Sequence, residues 1–186
     1  MEETKLSKLI KGIAWFYVSI HFHINLGPWD ILPDWGGYGY ILLALPFLAK
    51  EASSARQLRL LTIVLTVWSG LCWIFARRID GFPGMLGPFG PITESIITVI
   101  TLYFHYQLLT DLAQIADNYQ CSSGAWIRHL RTVRVLIGTM LALPISWESN
   151  GVTRSSFALL TVIQLGAALS VCRALFVLRK EHRLQR

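Results

Sequence analysis

The chain has 186 residues, of which 53% are hydrophobic and 15% charged, and a net charge of +6. Soluble domains carry about 25% charged residues, so this composition argues against a soluble fold, and the absence of ~10-residue alternating segments argues against a membrane β-barrel. The cationic excess gathers at the ends of apolar runs rather than in a basic tract interleaved with aromatics, which excludes nucleic acid as a partner.

Read in chain order, the apolar runs predict an all-α integral membrane protein. It would be a single domain over residues 1–186, a bundle of six transmembrane helices at about 7–25, 36–49, 58–76, 92–110, 132–147 and 156–178. Each approaches the roughly 20 residues a bilayer core requires. The start, MEETKLSKLIKGIAWFYVSI, imitates a signal peptide, but no small-x-small cleavage site follows and the run continues into His21, His23 and Asn25. It reads as the first membrane helix. The second run is short, rich in Gly and Tyr, and interrupted by Pro46.

Charge orients the bundle. Lys5, Lys8 and Lys11 precede span one. Lys50, Arg56 and Arg59 separate spans two and three, and Arg128, Arg131 and Arg134 separate four and five. Arg173, Arg179, Lys180, Arg183 and Arg186 end the chain. These fourteen fall on one side and only Arg77, Arg78 and Arg154 on the other. The positive-inside rule then predicts that both termini are cytoplasmic. The longest cytoplasmic connection, 111–131, would extend helix four, turn at CSSG, and place Trp126 and Ile127 at the interface.

Two outer loops stand out. Residues 26–40, LGPWDILPDWGGYGY, hold Asp30 and Asp34 and no Lys or Arg. Residues 77–94, RRIDGFPGMLGPFGPITE, begin with Arg77 and Arg78, and glycine and proline recur at 81, 83, 84, 87, 88, 90 and 91. That composition excludes a helix, because Gly and Pro are the poorest helix formers. The loop is nonetheless apolar through Phe82, Met85, Leu86 and Phe89, so it should lie over the outer end of the bundle. One or both arginines are expected to pair with Asp30, Asp34 or Asp80. The cluster is either an interfacial clamp with no ligand or a site for a polar or anionic solute, since the planar guanidinium fork suits carboxylate and phosphate.

Polar residues inside the spans form stripes. Tyr17, His21 and Asn25 recur at four-residue spacing, as do Ser19 and His23. His21 and His23 point to opposite sides of a helix, so they cannot share a metal, and no metal or other cofactor is expected. Glu94, Thr98, Thr101 and His105 run down one face of span four, which should point into the bundle. Intramembrane ionisable groups tend to mark pathways or sites. Against that, Glu94 can simply meet the helix dipole and threonines can bond their own backbone. Trp15 and Trp68 are read as core residues or the wall of an apolar pocket, and Trp29, Trp35, Trp73 and Trp147 as an outer aromatic belt.

Small residues mark packing. Gly138, Ala142 and Ser146 recur at four-residue spacing, as do Gly166, Ser170 and Ala174. Such stripes let backbones approach closely. The short link between spans five and six predicts an antiparallel hairpin, or else one stripe serves dimerisation. Cys72, Cys121 and Cys172 are scattered and form no C-x-x-C pair, so neither a disulfide framework nor a zinc site is implied. No G-x-S-x-G, H-E-x-x-H or Walker loop is present.

The residues Asp30, Ile31, Leu32, Pro33, Asp34, Trp35, Gly37 and Tyr38 carry a resemblance. The chain resembles small polytopic bacterial membrane proteins with a D-[IL]-L-P-D-hydrophobic-x-G-Y pattern after the first span, although Gly36–Gly37 departs from the usual single glycine. That resemblance covers about a tenth of the chain and implies a bacterial cytoplasmic membrane and a family fold, not an activity. In size and helix number the chain is also similar to substrate-binding subunits of energy-coupling-factor transporters. Span one lacks their alanine-rich coupling surface, and no binding residue carries over.

The resulting expectation is a multi-pass membrane protein that binds or transports a small polar solute through an outer vestibule. Its site would use Asp30, Asp34, Arg77, Arg78, Glu94, His21 and Tyr38. The alternative is a non-catalytic accessory subunit that meets a membrane partner, or a second copy of itself, through the small-residue stripes. An intramembrane enzyme working through Glu94 and His105 is a third reading.

Overall fold

The computed structural model describes residues 2–20, 25–26, 29–30, 34–75, 81–143 and 151–184. The described residues are helical apart from short turns and one two-residue antiparallel ladder, β1 (Asn25–Leu26) with β2 (Trp29–Asp30). The helices are α1 (Glu2–Ser19), α2 (Asp34–Glu51), α3 (Leu58–Ile74), α4 (Gly81–Met85), α5 (Gly90–Asn118), α6 (Ser123–Ala142) and α7 (Gly151–Leu184). Among the described residues, three helical stretches are long and apolar enough to cross a membrane: Ser53–Ile74, Gly87–Asn118 and Ser155–His182.

The six long helices pack as a closed ring in chain order. α1 meets α2, α2 meets α3, α3 meets α5, α5 meets α6, α6 meets α7, and α7 returns to α1. Aromatic rings fill the middle. Phe16 packs edge-on against Tyr17, Tyr38 and Phe104, with centroid separations of 5.4, 5.4 and 6.2 Å. The α1–α2 approach is close because a Cβ at Gly37 would stand 2.6 Å from the Phe16 ring, whereas one at Gly36 would meet open space. Of the two adjacent glycines, Gly37 is therefore the one that packing requires.

The turn between α5 and α6 follows from local chemistry. Gln120 adopts φ 52°, the left-handed conformation that ends many helices. This lets the Cys121 N–H donate to the Ala116 carbonyl at 2.8 Å. Gly124 then fits against α5, where a Cβ would lie 2.5 Å from the Asp117 carboxylate and 3.4 Å from the Ala113 carbonyl oxygen. An Arg128–Asp117 ion pair spans the same turn.

α6 and α7 run antiparallel. The end of α7 meets the start of α6, where Glu181 accepts from the Ser122 hydroxyl at 2.5 Å and from the Ser123 hydroxyl and N–H at 2.8 and 3.2 Å. The carboxylate thus satisfies donors that a helix start leaves open. The small-residue stripes serve this hairpin only in part. A Cβ at Gly138 would fall 2.6 Å from Leu102 and 3.8 Å from Gln164, and Ala174 is buried. Ala142 is exposed, and Gly166 is exposed with open space beside it. Ser170 is half-buried and Ser146 lies outside the described residues. On α7 the buried face is instead Ala167, Ala168, Val171, Ala174, Leu175 and Leu178. The contact face is rotated from the stripe, so Gly166 points away from the hairpin.

Two further expectations are corrected. The 77–94 stretch is not wholly non-helical: α4 is followed by a 3-10 turn at Gly87–Phe89. Pro83 is tolerated because it sits in the first turn, where a missing N–H costs nothing. Phe82 docks α4 on the bundle, with its ring 5.3 Å from that of Trp68 and 5.6 Å from that of Phe75. A Cβ at Gly90 would lie 2.5 Å from the Pro83 carbonyl oxygen, so this segment folds tightly on the start of α5. Trp15, expected in the core or a pocket wall, is 57% exposed on the outside of the ring. Its neighbours Ala14, Phe16 and Tyr17 take the inward positions.

Candidate functional site

A cavity of about 350 Å³ lies inside the ring, bounded by Ile20 at the end of α1 and Asp34 at the start of α2. It therefore sits at the end of the bundle from which the α1–α2 connection departs. Its polar lining is Asp34, Tyr38, Ser69, Thr101, His105, Arg134 and Gln164. Leu65, Trp68, Ile97, Leu102 and Val135 complete the wall. Five of the six long helices supply lining side chains, and α1 closes it with Ile20.

Arg134 is the least expected of these residues. Its place three residues after Arg131 reads as part of a cytoplasmic flank, yet it is only 3% exposed and lines the cavity from α6. The guanidinium carbon lies 5.0 Å from the centre of the Tyr17 ring, within cation–π range. Arg128 stays outside on Asp117, and Arg131 donates to Thr110 at 2.9 Å and lies over Tyr106. Three arginines at helical spacing thus have three different environments. The signal available in the sequence was that Arg134 falls inside an apolar run.

His105 is buried on α5, and its Nδ1 is 3.3 Å from the hydroxyl of the fully buried Tyr17. Tyr38 is buried beside them, with Asp34, Arg134 and Tyr17 all within electrostatic reach. Gln164 reaches the cavity from α7, and among the described residues its Oε1 is a buried acceptor without a hydrogen bond. Buried polar atoms are normally satisfied, so this acceptor faces a space suited to a donor.

The expected site residues fall into three groups. Asp34, Tyr38, Thr101 and His105 are brought together around the cavity. Glu94 is exposed and Thr98 half-buried, and neither lines it. The seam expected along span four therefore holds only in its inner part, because the start of α5 faces out of the ring. Thr98 and Thr101 donate to the Glu94 and Ile97 carbonyls, both at 2.8 Å. Glu94 and His105 are eleven residues apart, about 16 Å along the helix, so they do not form the acid–imidazole pair that the enzyme reading requires. His21, Arg77, Arg78 and Asp80 lie outside the described residues, and Asp30 is described only through its backbone in β2.

Trp68, read as core or pocket wall, lines the cavity. Trp35 and Trp73 form an edge-to-face pair at 6.1 Å near the same end of the bundle. Among the described residues, no three His, Cys, Asp or Glu side chains converge as metal ligands. Comparison with protein-family models, with curated proteins and with solved structures found no match.

Proposed function

We propose that this protein is a six-span membrane protein that binds a small polar solute with an anionic group in the cavity of the helix ring. The six-span reading is supported by geometry as well as composition. α1, α2 and α6 have 18, 18 and 20 residues, about 27–30 Å of helix, and pack in one ring with the three apolar stretches. The distribution of Lys and Arg supports cytoplasmic termini, and the cavity then opens toward the outer face. The observation that carries the binding reading is the buried Arg134 guanidinium in a polar-lined cavity. A charge inside a membrane bundle is costly and is retained where it faces a partner or a pathway. Transport would follow if the cavity also opened to the other side.

The test is thermal unfolding of the full chain in lipid nanodiscs, against a panel of small carboxylates and phosphate esters. At least one compound should raise the midpoint for the wild type and not for Arg134→Gln. The reading fails if no compound discriminates between the two proteins.

A non-catalytic accessory subunit is the second reading, and one observation favours it. Gly166 is exposed beside Val162, Ile163 and Leu169 on α7, and among the described residues nothing lies against this small-residue position. In a gentle membrane extract, that reading expects a stoichiometric protein partner where the first expects a bound small molecule.

A further inference from the structure

We infer that a second site, at the opposite end of the α2–α3 face, holds the phosphate of an anionic phospholipid. It is a recess of about 240 Å³ lined by Leu45, Pro46 and Ala49 of α2, and by Arg56 and Arg59 where α3 begins. Pro46 lies inside α2, where its ring removes a backbone donor and crowds the carbonyl of Leu42, four residues back. The recess forms at this interruption.

Its chemistry is divided along the helix axis. Arg56 and Arg59 are both exposed, and neither enters an ion pair among the described residues. Lys50 adds a third cation nearby, its Nζ 5.9 Å from the Phe47 ring centre. Below the arginines the surface turns apolar. Ile63 and Val67 follow Arg59 by four and eight residues on α3, and Leu60 is its neighbour, all three exposed. Four-residue spacing puts Arg59, Ile63 and Val67 on one helix face. Leu43 and Phe47 are exposed on α2. Two guanidiniums thus head an apolar strip about 12 Å long, measured from Arg59 to Val67.

Guanidinium pairs bind phosphate through parallel N–H···O bonds. A free phosphate or phosphate ester would use the arginines but not the strip. A phospholipid uses both, its phosphodiester on the guanidiniums and an acyl chain along Leu60, Ile63 and Val67. Arg56 and Arg59 also lie near the start of the Ser53–Ile74 apolar stretch, the level at which a headgroup would sit. The inference needs this stretch to lie in a bilayer, and it is independent of the solute cavity.

Native mass spectrometry of the full chain, delipidated in detergent and given defined lipid, tests it. Wild-type protein should retain phosphatidylglycerol at least tenfold over phosphatidylcholine, and Arg56→Gln with Arg59→Gln should reduce that preference to within twofold. The unfolding midpoint without lipid should be unchanged, because both side chains are exposed. If the double variant does not purify, Arg59→Gln alone should lose at least half of the preference. Equal retention of both lipids by the wild type overturns the inference, as does a preference that survives the substitutions. So does glycerol 3-phosphate competing as well as the intact lipid, which would make the recess a phosphate site.

Discussion

The two ends of α5 show how differently one helix can be used. From Phe104 to Ala116 its inward residues are closed off from the surface: Phe104, Leu108, Leu109, Leu112, Ile115 and Ala116 are fully buried. Nearer the start of the same helix, Ile92, Ile96 and Val99 are largely exposed. α7 repeats the contrast, with Leu159, Val162 and Ile163 exposed and Val171, Ala174 and Leu175 buried. One end of the ring is a close-packed core. At the other end the helices present apolar side chains outward and leave a polar cavity between them. The cavity lies where the two regimes meet, with His105 and Arg134 at its inner end. The packed end thus forms the base of the cavity, where Arg134 and His105 are buried.

The contrast can be broken by substitution. Leu112→Ala, in the packed end, should lose about 2–4 kcal/mol, read as denaturant unfolding in mixed micelles. An unchanged midpoint would mean that this end is not a core. Gly124→Val should cost about 1–3 kcal/mol by overpacking, since the added atoms meet Asp117 and the Ala113 carbonyl. The same titration should show it, and a neutral result would contradict the close α5–α6 approach. Tyr17→Phe should cost about 1 kcal/mol, the usual net value of a buried hydrogen bond. A double-mutant cycle with His105→Phe should then show that the two effects are coupled, and additive effects would remove the Tyr17–His105 bond from the account. Ile96→Ala, at the open end, should stay within about 0.5 kcal/mol. A loss as large as that of Leu112→Ala would show that this surface is covered in the membrane by something other than lipid.

Most of the helical layout was legible in the sequence, because a bilayer-length apolar run is a strong signal. Each expected run overlaps a long helix, but the bounds differ, and three stretches among the described residues are long and apolar enough to cross a membrane. α1 (Glu2–Ser19) ends before 25, and α6 (Ser123–Ala142) begins before 132 and ends before 147. α5 extends to Asn118 and α7 to Leu184. Those extensions carry polar residues that hydropathy discounts but that tertiary contacts use. Asp111 accepts from Ser54 at 2.6 Å and Gln107 at 2.8 Å, and Glu181 caps α6. α4 was missed because Gly and Pro count against a helix one residue at a time, while Phe82 docking on Trp68 is a tertiary effect. Four of the seven polar residues that line the cavity, Asp34, Tyr38, Thr101 and His105, stand out in the sequence as polar groups in or beside apolar runs, and Ser69 does not. Nor do Arg134 and Gln164. The first hid in a run of arginines that explains itself as a membrane flank, and the second is a lone polar residue on a helix whose orientation only packing determines.

The hydroxyls have a consequence for biogenesis. Thr93, Ser95, Thr98, Thr132, Thr139 and Thr161 each donate to a carbonyl four residues back on their own helix. Such a side chain carries its partner with it and needs no neighbour to enter hydrocarbon. On α5, α6 and α7 these hydroxyls therefore add no unsatisfied donor to an apolar helix surface. Arg134 lies instead over the ring of Tyr17 on another helix, α1. The helices that bring Tyr17 and Tyr38 to it, α1 and α2, both precede α6 in the chain. The order of synthesis thus supplies the arginine's surroundings before the arginine itself.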